Sequence, residues 1–126
     1  MKKDAFSRWL GIEVIVGDKG YAKLKMKVKD EMLNGFGIAH GGVTYSLADS
    51  ALAFASNGHG KMAVSTGTSI AHFRQVQLAD ILTAEARETN LGEKVAHYQI
   101  SITNQDEDVV ASFFGSVYRT SKDWEI

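Results

Sequence analysis

One stretch of this sequence cannot lie on a protein surface without leaving apolar area in water. Between Val43 and Ser56, apolar or small residues fall all round a helical wheel, Val43, Leu47, Ala48, Ala51, Leu52, Phe54 and Ala55 among them. A surface helix shows a charged side, so a helix without one is enclosed by the rest of its fold. Asp49 sits near its middle, the only formally charged side chain between Glu31 and Lys61. An ionised carboxylate in a core is costly unless it is paired or hydrogen-bonded, and one retained there marks a candidate site. The competing reading is a structural carboxylate capped by hydroxyls such as Ser46 or Ser50.

The residues around this stretch read as strands. Ala22, Leu24, Met26 and Val28 alternate with Lys23, Lys25, Lys27 and Lys29, giving one core face and one solvated face. Ile12–Val16 precedes it across the turn Gly17-Asp18-Lys19-Gly20. Beyond the helix, Met62–Arg74 is a long strand, with Val64, Thr66, Thr68 and Ile70 on one side and Ser65, Gly67, Ser69 and Ala71 on the other. Ile81–Thr89 and Val95–Thr103 flank a hairpin turn at residues 90–94, and Val109–Tyr118 closes the set. A short helix over residues 4–10, capped by Asp4 and stopped by Gly11, opens the chain with Phe6, Trp9 and Leu10 on one side. Asn57-Gly58 ends the central helix, with Gly58 available for a left-handed cap, and residues 120–126 form a poorly ordered tail.

One helix and about six strands, joined mostly by short turns, make an α+β fold with an antiparallel sheet wrapped about the helix. One sheet covers only part of a helix, so a second copy is expected to cover the rest. At 126 residues the chain reads as a single domain, 1–126. A net charge of -1 argues against nucleic-acid binding, and zero Cys removes thiol chemistry and disulfides. There is no apolar run of membrane-spanning length, and Met1-Lys2-Lys3 leads into the amphipathic DAFSRWLG instead of a signal-peptide core. A cytoplasmic location is the expectation. His59, His72 and His97 are scattered without acidic partners at ligand spacing, so neither a metal nor a cofactor is expected.

Ahead of Asp49 stands a glycine-punctuated loop with Asn34, then His40-Gly41-Gly42, then Leu47-Ala48-Asp49. This N-x5-H-G-G-x4-L-A-D-x-A arrangement, with the strand order over roughly residues 8–120, resembles the hotdog-fold acyl-CoA thioesterases of the PaaI-like family. The chain departs from that family where Arg74 is followed by Gln75 instead of a nearby proline. The resemblance implies cleavage of an acyl-CoA to free CoA and a carboxylate, with aryl or phenylacetyl groups as the candidate acyl portion. It implies that the Gly41 amide polarises the carbonyl while Asn34 helps position it. Ser65, with Thr66 next, would hold the water on which Asp49 acts as general base, unless Asp49 attacks directly as nucleophile, and Gly42 and Thr66 are the substrate-binding candidates. His40 is either a participant or a loop-fixing residue, and Asn34-Gly35 can also be read as a simple turn.

Elementary geometry supports part of this. Amides at a helix N-terminus lack intrahelical acceptors and lie at the positive end of the dipole, and Gly41 and Gly42 leave them unobstructed. Asp49, eight residues beyond Gly41, lies about 12 Å along the axis at ~1.5 Å per residue, too far to serve the same carbonyl. The family answers with interfacial sites in a dimer, often a dimer of dimers forming a homotetramer. Two alternatives stand beside the thioesterase: a non-catalytic acyl-CoA-binding module, and a hotdog hydratase or dehydratase. Lys61, Arg74 and Arg87 are the candidates for holding CoA phosphates, and Tyr45, Phe54, Phe73 and Phe36 for an aromatic pocket.

Overall fold

Alternation along Tyr21–Lys27 (β2) does what its pattern demands: Ala22, Leu24, Met26 and Val28 are buried and the lysines line the outer face. This strand pairs antiparallel with Glu13–Asp18 (β1) on one side and Ile81–Leu91 (β4) on the other. Val95–Thr103 (β5), Val109–Asp123 (β6) and Lys61–His72 (β3) complete one antiparallel sheet, in the order β1-β2-β4-β5-β6-β3. The computed structural model describes residues 4–124, so the last two residues of the expected tail lie outside it. Residues 120–123 are not loose: they extend β6, and Trp124 packs edge-on against Phe54 at 5.8 Å.

The central helix, Gly41–Asn57 (α2), touches all six strands, which requires the sheet to curl round it. Leu47, Ala48, Ala51, Leu52 and Ala55 are buried in that contact. This is the hotdog arrangement the resemblance implies. Enclosure is incomplete, however. Gly42, Tyr45, Asp49 and Ala53 recur at helical spacing and form one exposed stripe. Beside the stripe runs β3, an edge strand with Val64 48% exposed. The expected all-round burial of α2 is therefore not met by a single chain.

Two details differ from expectation for local reasons. Gly58 is right-handed (φ -61°), not a left-handed cap. Glycine is required there because a Cβ would stand 2.2 Å from the Asp18 carbonyl oxygen. The left-handed residue is Gly60, at φ 92°. In the first helix, Ala5–Leu10 (α1), Asp4 and Gly11 cap as expected, but Leu10 and Ser7 are the buried pair while Phe6 and Trp9 face outward. Among the described residues no helix is long and apolar enough to cross a membrane.

Candidate active site

Residues before α2 build its entrance. Asn34 folds its loop into a tight turn, its Oδ1 accepting from the Phe36 N–H at 2.8 Å and the Ile38 N–H at 3.4 Å. The turn reading of Asn34-Gly35 is thus correct, yet it spends only the side-chain oxygen. Asn34 Nδ2 has no partner among the described residues, and its residue lines a cleft of about 370 Å³ with Ala39, His40, Gly41, Thr44 and His72. His40 is the N-cap, and its Nδ1 accepts from the Gly42 N–H at 2.9 Å. A ring nitrogen that accepts carries no proton, so neutral His40 bears its hydrogen on Nε2. The Gly42 amide is consequently occupied, and the expectation that both glycine amides stand open narrows to Gly41. Its N–H has no acceptor among the described residues.

His72 is part of this entrance, although its chain position gave no reason to single it out. Thr44 Oγ1 lies 3.0 Å from the Gly41 carbonyl oxygen, within reach to donate. The same Oγ1 lies 2.7 Å from His72 Nε2, a hydrogen bond whose direction follows the histidine tautomer. His72 closes the space beside Gly41, where a Cβ would meet its Cε1 at 3.5 Å. Only the run of β3 past the start of α2 reveals the pairing.

Asp49 lies elsewhere, in a depression of about 160 Å³ lined also by Ser56, Ala63, Ser65 and Val117. The hydroxyls that a structural carboxylate would need are committed to other groups. Ser46 Oγ donates to the Gly42 carbonyl at 2.7 Å, and Ser50 Oγ lies 2.7 Å from Ser7 Oγ. Asp49 has no hydrogen-bond partner among the described residues. The outer side of the carboxylate is exposed, but atoms crowding its inner side desolvate it and raise its pKa above the ordinary 3.8, with repulsion from Asp4 adding to the effect.

Ser65 reaches the Asp49 depression; Thr66 does not. The β3–β6 register slips between Ser65 and Gly67, leaving Thr66 as the extra residue of a bulge, with Oγ1 3.2 Å from the Ser116 carbonyl oxygen. Thr66, a substrate-binding candidate, thus lies against β6, outside the depression that Asp49 and Ser65 line. Of the three basic candidates, Arg74 alone lines the entrance cleft. All three have acidic partners: Lys61 pairs with Asp123, Arg74 with Asp108 at 3.7 Å, and Arg87 with Glu85 while lying over the Tyr21 ring. Among the described residues no cluster of His, Cys, Asp or Glu could hold a metal ion.

A sheet-wrapped helix whose N-terminal amide and carboxylate, both without partners among the described residues, lie two turns apart points to acyl-transfer chemistry on a carbonyl. Residues 36–111 match the thioesterase superfamily. The chain belongs to that family and is a thioester hydrolase. It is 40% identical over 118 residues to the acyl-coenzyme A thioesterase PaaI of Escherichia coli, covering 94% of this chain and 84% of that one. It is also 40% identical to a putative esterase of Archaeoglobus fulgidus, over 98% of this chain and 80% of the relative. The solved structure of the E. coli PaaI protein superposes with a TM-score of 0.95 at 38% identity, over 97% of this chain and 88% of that one. A Streptococcus mutans protein solved with acetyl CoA bound gives 0.86 at 27% identity, over 90% and 91%.

Proposed function

We propose that this chain hydrolyses acyl-CoA thioesters at sites shared between two copies, with an aryl or arylacetyl group as the acyl portion. The observation that carries this is the division of one helix face into two incomplete half-sites. Among the described residues, the cleft that Gly41 lines includes no carboxylate, and the depression that Asp49 lines does not include Gly41. Both lie beside an open edge strand, a ready template for pairing with another chain. A twofold axis passing near Tyr45, midway between Gly41 and Asp49, would set each helix start against the opposite carboxylate.

In that arrangement the thioester oxygen accepts from Gly41 N–H, with Asn34 Nδ2 and His40 Nε2–H as further donors. These groups are fixed before substrate arrives, so they stabilise the oxyanion without reorganising. The opposing Asp49, with Ser65 beside it, either takes a proton from water or attacks the carbonyl itself. Thiolate leaves and the carboxylic acid follows. In this reading Arg74, which lines the cleft and pairs with Asp108 at 3.7 Å, meets a CoA phosphate, and Phe73, lining the same cleft, meets the acyl group. Pairing such dimers into a homotetramer belongs to the same reading.

Two variants test the shared site. Asp49→Ala and Gly41→Pro should each be inactive in thiol release from a panel of aryl-, short- and medium-chain acyl-CoAs. Mixed after reversible dissociation, they should recover roughly a quarter of the unaltered activity, since half the dimers then carry one intact site. Recovery of nothing from folded, mixed dimers would refute the shared site. A hydratase would leave saturated acyl-CoAs intact, and a binding module would release thiol from none.

A further inference from the structure

Two Asn-Gly pairs flank the central helix, Asn34-Gly35 and Asn57-Gly58, and the fold treats them in opposite ways. Asn57 is 5% exposed; its Nδ2 donates to the Ala53 carbonyl at 2.7 Å and its Oδ1 accepts from the Ala63 N–H at 2.8 Å. Gly58 is needed there because the Asp18 carbonyl oxygen leaves no room for a Cβ. At Asn34 only Oδ1 is held, by the Phe36 and Ile38 N–H groups. Neither Asn34 Nδ2 nor the Gly35 N–H has an acceptor among the described residues. Gly35 is exposed, its φ is not positive, and a Cβ built on it would meet nothing within 4 Å. The fold therefore does not require glycine at 35. What glycine changes is the reactivity of the residue before it: with no Cβ in the way, its nitrogen reaches an asparagine side chain more easily than that of any other residue.

We infer that Asn34 is a site of spontaneous deamidation, and that its conversion switches off the cleft it lines. The Gly35 nitrogen gives up its proton and attacks Asn34 Cγ. The new N–Cγ bond closes a five-membered imide, the Cγ–Nδ2 bond breaks, and the side-chain nitrogen leaves as ammonia with that proton. Oδ1 remains as an imide carbonyl oxygen. The two N–H groups already on it stabilise the negative charge it carries in the tetrahedral intermediate. Water then opens the imide at either carbonyl. One product is aspartate, which sets a charged acceptor where Nδ2 was a donor. The other is isoaspartate, which lengthens the backbone inside a turn closed by Asn34 N–H to the Ile38 carbonyl at 2.7 Å and Gly37 N–H to the Asn34 carbonyl at 3.1 Å. Either way the Nδ2 donor is gone from the cleft. The loss of turnover rests on the proposed role of Asn34 in the reaction; the modification itself does not.

The test is peptide mapping of the folded protein held at mildly alkaline pH, with thiol release from an aryl-acyl-CoA measured on the same samples. Trypsin leaves Asp30–Lys61 as one peptide, so its fragmentation reads both Asn-Gly pairs together. A gain of about one mass unit should accumulate at position 34 and not at 57, and activity should fall in proportion to the modified fraction. Gly35→Ala should start with unaltered activity, because its methyl meets nothing, and should deamidate at least severalfold more slowly. Asn34→Asp, which makes the first product outright, keeps an oxygen for the two turn N–H groups and should lose roughly 10²–10³-fold in kcat. No conversion at 34, or equal conversion at 57, would overturn the inference. Conversion at 34 with full turnover, matched by an active Asn34→Asp, would instead overturn the part given to Asn34 in hydrolysis, so the two failures are distinguishable.

Discussion

Replacing Gly41 by proline removes one hydrogen-bond donor from the site and almost nothing from the fold. Gly41 is the first residue of α2, the helical position where proline is favoured. Its N–H has no acceptor among the described residues, so no structural bond is lost. His40 before it has φ -62° and ψ 140°, the extended region that a residue preceding proline adopts. A Cβ at position 41 would meet His72 at 3.5 and 3.7 Å, ordinary contact distances. The melting temperature should therefore hold or rise, since proline at a compatible site contributes about 0.4–1 kcal/mol through the unfolded chain. Catalysis should not hold. One oxyanion donor is worth roughly 2.7–4 kcal/mol, a factor of about 10²–10³ in kcat. The proline Cδ also stands where the amide hydrogen was, so KM should rise as well. Thiol release from an aryl-acyl-CoA measures both constants. Gly41→Ala, which keeps the N–H and adds only a methyl, should retain most of the rate. A folded Gly41→Pro protein with kcat within a few fold of Gly41→Ala would refute the assignment of this amide.

Other perturbations separate fold from chemistry in the same way. His40→Ala should cost about 0.5–2 kcal/mol as a lost N-cap, while His40→Asn should recover that stability but not the turnover, because the amide caps and the imidazole Nε2–H is gone. Thermal melts beside kinetics distinguish the two. Asp49→Asn should abolish turnover and stabilise the protein near neutral pH. The fold holds this carboxyl above the ordinary 3.8, so it is the ionised form that folding disfavours. The gain is present above the raised pKa and fades as pH falls through it, which melts at neutral and acidic pH would register. Gly58→Ala should destabilise by about 1–3 kcal/mol despite an ordinary φ, since its methyl would collide with the Asp18 carbonyl oxygen. Denaturant unfolding with no change in stability would show that the contact relaxes freely.

Much of the fold was legible because local chemistry and tertiary placement agree. The β2 alternation states a burial pattern that the sheet satisfies, the Asp4 and Gly11 caps bound α1, and the missing polar face of α2 is met by the sheet everywhere but along the stripe from Gly42 to Ala53. Where reading failed, a long-range contact had overruled a local rule. Gly58 looked like a cap because Asn-Gly follows the helix, but the constraint is the approach of β1, forty residues earlier in the chain. Phe6 and Trp9 looked like the inner face of α1, but Ser50 on α2 claims Ser7 for that face. His72 showed no partner at any regular spacing because its partner is Thr44, on another element.

The bulge at Thr66 shows how the two half-sites come from one strand. Strict alternation places Ser65 and Thr68 on opposite sides of β3. The structure turns both toward α2: Ser65 lines the Asp49 depression, and Thr68 Oγ1 lies 2.7 Å from Tyr45 Oη. One extra residue between them reverses the phase of the strand. Odd-numbered Ala63 and Ser65 serve the carboxylate end, while even-numbered Thr68 and His72 serve the amide end. Without the bulge, a straight β3 could supply a polar residue to one end of the helix face only by withdrawing it from the other. Deleting Thr66 should therefore leave a folded protein in which Ser65 or His72, but not both, reaches its partner. Turnover would then fall with either outcome, and an active deletion variant would show that this phase reversal is incidental to the chemistry.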